Sequence, residues 1–98
     1  MDHKIYKIKS VEITGDYTLK LVFDDGLEQV IDFSSILYGE TFGPLRNLSL
    51  FNQVKIDSEV ETIVWPNGAD FDPVILHDWS KYYDELKIRA REWETATN

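Results

Sequence analysis

Between Tyr17 and Phe23 the chain alternates: Tyr17, Leu19, Leu21 and Phe23 are large and apolar, with Thr18 and Lys20 between them. A period of two marks a strand with one buried face, and Val22 is its partial exception. Residues 5–13 read as a preceding strand, with Val11 and Ile13 alternating around Glu12. Ile8 and Val11 differ in parity, so a bulge or bend is expected near Ser10. Thr14-Gly15-Asp16 forms the turn, and the same alternation pairs Ile13 with Tyr17 and Val11 with Leu19.

Parity also decides the next turn. A two-residue Asp25-Gly26 hairpin would set Phe23 opposite Glu28 and Leu19 opposite Asp32. A three-residue loop of Asp24, Asp25 and Gly26 sets Phe23 opposite Leu27 and Leu19 opposite Ile31, which keeps the apolar residues on one face. Glycine at the left-handed position of such a loop is a common hairpin connection. The three-residue loop is the expected one.

After Asp32 the alternation stops. Short helical turns are expected around Ser34–Leu37 and Asn47–Phe51, with Phe42, Leu45 and Phe51 beneath the sheet. Strands resume at Val54–Asp57 and Val60–Trp65, joined near Ser58-Glu59. The second has apolar residues on both faces, as in a doubly covered strand, and its register is left open. It ends sharply in Trp65-Pro66-Asn67-Gly68-Ala69-Asp70-Phe71-Asp72-Pro73. Pro66 removes a ladder donor, and Pro-Asn-Gly is turn chemistry. Asp72 before Pro73 reads as a helix N-cap and first helical residue. Downstream, Trp79, Tyr82, Tyr83, Leu86, Ala90 and Trp93 fall within about a 100° arc of a helix. One helix from Pro73 and two helices divided at Asp78 both fit. The expected fold is α+β: a largely antiparallel sheet of about five strands, short helical turns in the middle and a C-terminal helix.

Ninety-eight residues, 43% hydrophobic, support a single domain over 1–98 that buries roughly 65% of its unfolded surface without metals or disulfides. With no cysteine, disulfides and thiolate chemistry are excluded. Met1-Asp2-His3-Lys4-Ile5 lacks the apolar run of a signal peptide, and no stretch approaches the roughly eighteen apolar residues of a membrane span. A soluble, cytoplasmic protein with no membrane partner is expected. The net charge of −8 is concentrated in residues 21–80, where eleven acids face only Arg46 and Lys55. That balance disfavours direct nucleic-acid binding, which draws its affinity from basic residues. It suits either simple solubility or a face for a basic partner.

These features together resemble a small bacterial family known as domain of unknown function 2442. The resemblance rests on Val11, Asp16-Tyr17-x-Leu19, Phe23-x-Asp25-Gly26, Val30-x-Asp32-Phe33, Leu45, Phe51-x-x-Val54 and Trp65-Pro66-Asn67-Gly68-Ala69-Asp70. It covers about residues 5–77, leaving an aromatic helix of about 78–94 as an addition. It implies an α+β fold built on antiparallel hairpins and no established catalytic residue. It also implies a protein often encoded beside another small protein, in a toxin–antitoxin-like pair. Some related chains carry a helix-turn-helix module, for which some twenty residues after the core are too few.

Chemistry has one candidate cluster, Asp70 and Asp72 with His77 and Asp78 nearby, as a hard-cation site or acid–base pair. Asp72 as a helix cap and Asp70 as an acceptor for turn amides explain the same residues without catalysis. There is no EF-hand spacing, no His-Glu-x-x-His, no Gly-x-Ser-x-Gly elbow and no phosphate loop. No catalytic residue, metal or cofactor is expected. Trp65 reads as a core anchor, and Lys87, Arg89 and Arg91 as a solvated run matched by Glu85, Glu92 and Glu94. The function expected is a non-catalytic interaction module, antitoxin-like toward a small basic protein. Its surfaces would be the hairpin tips (Asp24, Asp25, Asp57, Glu59) and the aromatic helix (Trp79, Tyr83, Trp93). The rival is a self-associating structural or accessory domain, a homodimer using Trp79, Tyr83 and Trp93 of that helix across a two-fold axis.

Overall fold

The computed structural model describes residues 6–96, with side chains through Glu92. Among the described residues, five strands, all antiparallel, form two sheets. β1 (Ile8–Gly15), β2 (Thr18–Phe23) and β3 (Glu28–Asp32) make a three-stranded meander, and β4 (Lys55–Asp57) pairs with β5 (Thr62–Val64). The pair lies beside β1, where the Ile8 amide donates to the Glu61 carbonyl at 3.0 Å. Short helical segments fill the middle: a 3₁₀ turn at Ser34–Ile36, α1 (Gly39–Phe42), a 3₁₀ turn at Gly43–Arg46, and α2 (Leu48–Phe51). Asn47 caps α2 through the Ser49 and Leu50 amides. The chain ends in α3 (Pro73–His77) and α4 (Trp79–Ala96), divided at Asp78.

The bulge near Ser10 is present: Ile8 faces Phe23 and Ser10 faces Val22, so β1 carries one extra residue. The first hairpin corrects the sequence reading. Ile13 faces Leu19 and Val11 faces Leu21, two residues beyond the expected register. Tyr17 is a turn residue with a left-handed φ of 56°, not a strand residue. Such a conformation costs about 1–2 kcal/mol outside glycine. It is offset by the Tyr17 ring, which meets Phe51 edge-on at 5.5 Å, and by its hydroxyl, which donates to the Arg46 carbonyl. Because the slip is by two, every side chain keeps its face. The second hairpin has the expected register, with Leu19 opposite Ile31 and Gly26 at φ 91°.

The two glycine-bearing turns are built alike. Phe23 N donates to Leu27 O at 2.9 Å and Gly26 N to Phe23 O at 3.0 Å; Trp65 N donates to Ala69 O at 2.9 Å and Gly68 N to Trp65 O at 3.0 Å. In each, the middle loop residue accepts from the amide two positions on: Leu27 N to Asp25 Oδ1 at 3.0 Å, Ala69 N to Asn67 Oδ1 at 3.2 Å. Both are three-residue loops closed by a left-handed glycine. They differ in what the spare side-chain atom does. Asn67 Nδ2 donates to Thr41 O, whereas Asp25 Oδ2 meets His77 Nε2. An amide is needed at the first position and a carboxylate suits the second.

One face of the meander, through Leu19, Leu21, Phe23 and Ile31, closes on Phe33, Leu45, Phe51, Ile63, Trp65, Phe71 and Leu76. Phe33 is the hub, with ring centroids of Phe71, Trp79, Phe51 and Trp65 at 5.3, 5.4, 5.8 and 6.3 Å. Trp65 is a core anchor whose indole N–H donates to the Phe51 carbonyl at 2.8 Å. β5 is covered on both faces: Thr62 and Ile63 are buried, and the Thr62 hydroxyl donates to Phe71 O at 2.7 Å. Its register places Ile56 opposite Ile63. Val60, expected in this strand, is 56% exposed in the preceding loop, where Glu61 turns the chain with a φ of 57°.

Candidate interaction surface

The acidic residues of the β2–β3 and β4–β5 tips are separated by more than thirty positions in sequence, yet one dipeptide ties them together. The Lys7 carbonyl accepts from Asp24 N at 2.9 Å, and the next residue, Ile8, donates its amide to Glu61 O. Lys7 N also approaches Asp24 Oδ1 at 3.3 Å, and Lys7 Nζ pairs with Glu61 at 3.3 Å. Asp24, Asp25, Asp57, Glu59 and Glu61 therefore occupy one end of the molecule. Their tasks there differ. Asp57 Oδ1 accepts from Glu59 N at 2.7 Å and Val60 N at 3.4 Å, so it holds its own loop. Asp25 does the same for Leu27 and in addition holds His77. Glu59 and Asp24 are exposed, with no such burden beyond the long Lys7 contact.

His77 is the member of this end that sequence proximity misassigned. Of the cluster suggested by sequence, it meets Asp78 (Nδ1–Oδ1 2.9 Å) but not Asp70 or Asp72, and its other partner is Asp25 (Nε2–Oδ2 2.7 Å). It stacks on Tyr6 at 3.6 Å and meets Phe23 edge-on at 4.9 Å. Burial pulls its pKa down, and the bonds and charges of Asp78 and Asp25 outweigh this, so it lies above the usual 6.5. Asp25 is held below its usual 3.8, first by the Leu27 amide and then by His77. No local pattern could have announced a partner 52 residues away.

Asp72 is the N-cap expected of it, with Val74 N donating to Oδ1 at 2.9 Å. Asp70 is exposed and pairs through its backbone with Val64; the turn amide expected for Asp70 goes to Asn67 instead. Asp70, Asp72 and His77 do not converge. Among the described residues no group of three or more metal-ligating side chains is arranged around a common point.

The helical stripe is real and mostly turned inward. Trp79, Tyr82, Tyr83 and Leu86 are half-buried and Ala90 fully buried, while Ser80, Asp84, Glu85 and Arg89 face solvent. Trp79 packs on Phe33 at 5.4 Å and Phe71 at 6.4 Å, and the Tyr83 hydroxyl meets Ser35 Oγ at 3.2 Å. The Trp93 side chain lies outside the described residues. Among the described residues, no helix is long and apolar enough to cross a membrane.

These elements define an α+β domain of paired hairpins closed by a helix. The chain belongs to the family described as Protein of unknown function (DUF2442), which matches residues 8–82. The match runs through the first turn of α4, past the end at 77 of the sequence resemblance. Comparison with curated proteins and with solved structures gives no match.

Proposed function

We propose that this chain is a non-catalytic, cytoplasmic interaction module whose acidic end receives a basic region of another small protein, as an antitoxin-like partner would. The observation that carries the reading is the union of the two hairpin tips through Lys7-Ile8. It gathers carboxylates from separate parts of the chain, and exposed charges concentrated this way steer an oppositely charged partner. Asp25 and Asp57 rigidify their loops and leave Asp24 and Glu59 to meet the partner. Purification from native lysate at low salt tests this: a small basic protein should co-elute in stoichiometric amount. Recovery of the chain alone, or with acidic partners only, counts against it.

A second reading, self-association through α4, is favoured by Ile88, which is 59% exposed on that helix. Trp79 packs against the core and half-buried Tyr83 is engaged by Ser35 and the Trp79 ring, so this reading rests on Ile88 and Trp93. Sedimentation decides it: a tight homodimer abolished by Trp93→Ala supports it, and a monomer removes it.

A further inference from the structure

We propose that the open cleft lined by Tyr17, Ser34, Leu37, Gly43, Arg46 and Asn47 binds a small molecule carrying a carboxylate or phosphate, anchored by Arg46. This goes beyond the acidic end, with which it shares no residue. The cleft measures about 590 Å³, within the ~300–1,000 Å³ range of small-ligand sites. No carboxylate lines it, in a chain holding 18 acids. Arg46 is one of two basic residues between positions 21 and 80, and among the described residues no acid pairs with it. Its guanidinium lies over the Tyr38 ring at 5.1 Å, which restrains it without using its hydrogen-bonding fork. An arginine with no acidic partner among the described residues suits bidentate contact with a carboxylate or phosphate.

The neighbouring groups agree. Asn47 commits its oxygen to the Ser49 and Leu50 amides, which leaves its Nδ2 as a donor. Ser34 adds a hydroxyl with no partner among the described residues. Tyr17 spends its proton on the Arg46 carbonyl and keeps only acceptor capacity, matching a hydroxyl or N–H beside the ligand's anionic group. Leu37 supplies apolar wall. The net charge of −8 repels anions at long range, so affinity on the order of 1 mM is expected.

The test is NMR titration of the isotope-labelled full chain with sodium phosphate and, separately, sodium benzoate, against sodium chloride at equal ionic strength. Saturable shifts of the Ser34, Gly43, Arg46 and Asn47 amides are expected with at least one anion. Which anion produces them distinguishes phosphate from carboxylate. Arg46→Gln should weaken binding by about tenfold or more, the loss of a charge-assisted contact, while the β2–β3 amides keep their positions. Arg46→Lys should fall between. Shifts no larger than with chloride for both anions, or equal binding by Arg46→Gln, would overturn the proposal.

Discussion

Gly26→Ala and Gly68→Ala isolate the backbone cost of the two matched hairpin loops. At φ +91° and +89°, a Cβ placed on either glycine meets nothing within 4 Å. No neighbour is displaced, so the penalty is internal to the residue, about 1–2 kcal/mol for a left-handed alanine. The narrower unfolded ensemble of alanine returns about 0.4–1 kcal/mol, for a net loss near 1 kcal/mol in each case. In a domain of this size that lowers Tm by about 4–8 °C. Gly43→Ala is the control. Its φ of −54° and ψ of −44° are helical, and its nearest atom is Tyr38 C at 3.9 Å. The same substitution there should stabilise by about 0.4–1 kcal/mol. Urea unfolding of the three variants reads all three signs, and the double variant Gly26→Ala/Gly68→Ala should lose about the sum. Unchanged stability in either hairpin variant, or a larger loss at Gly43, would refute the loop geometry.

Three further outcomes follow from particular bonds. His77 should titrate above 6.5 by NMR, because Asp78 and Asp25 outweigh its burial. Its contribution to stability is complete below that unfolded value and lost as pH rises through the raised one. Asp25 contributes above 3.8, and its share is lost as pH falls through its lowered value. The His77 tie is therefore firmest between those limits, and His77→Gln should flatten the alkaline flank; a His77 value at or below 6.5 refutes this. Asn67→Asp keeps the acceptor for Ala69 N but sets a carboxylate against Thr41 O, and should cost about 1 kcal/mol in urea. Trp65→Phe removes the indole donor from Phe51 O in the core and should cost about 2 kcal/mol, a prediction sunk by wild-type stability.

Where apolar residues alternate beside a turn of defined chemistry, the fold was legible. Parity alone placed Leu19 opposite Ile31, and Asp72-Pro73 announced its helix. The first hairpin failed because Tyr17 continues the alternation while sitting in the turn. Its strained φ is sustained by Phe51 and Arg46, partners that only tertiary structure brings near. Val60 misled for the related reason that an apolar residue in a loop looks like one in a strand. At the candidate surface, the tip residues were identifiable as acidic turns. Their union could not be read, because it depends on the backbone of Lys7 and Ile8, whose bonds carry no side-chain signature. The Asp25–His77 contact and the acid-free lining of the Arg46 cleft are likewise long-range juxtapositions.

The central claim is that carboxylates on two hairpin tips meet a basic polypeptide. Its most direct test is the affinity of the co-eluting small protein for wild type and for Asp24→Lys/Glu59→Lys, measured as salt rises. Exposed charges are screened over about 8 Å at physiological ionic strength. Wild-type affinity should fall steeply with salt, and the double variant should bind about tenfold or more weakly at low salt while unfolding in urea like wild type. Affinity indifferent to salt and unchanged by the two reversals would contradict the account.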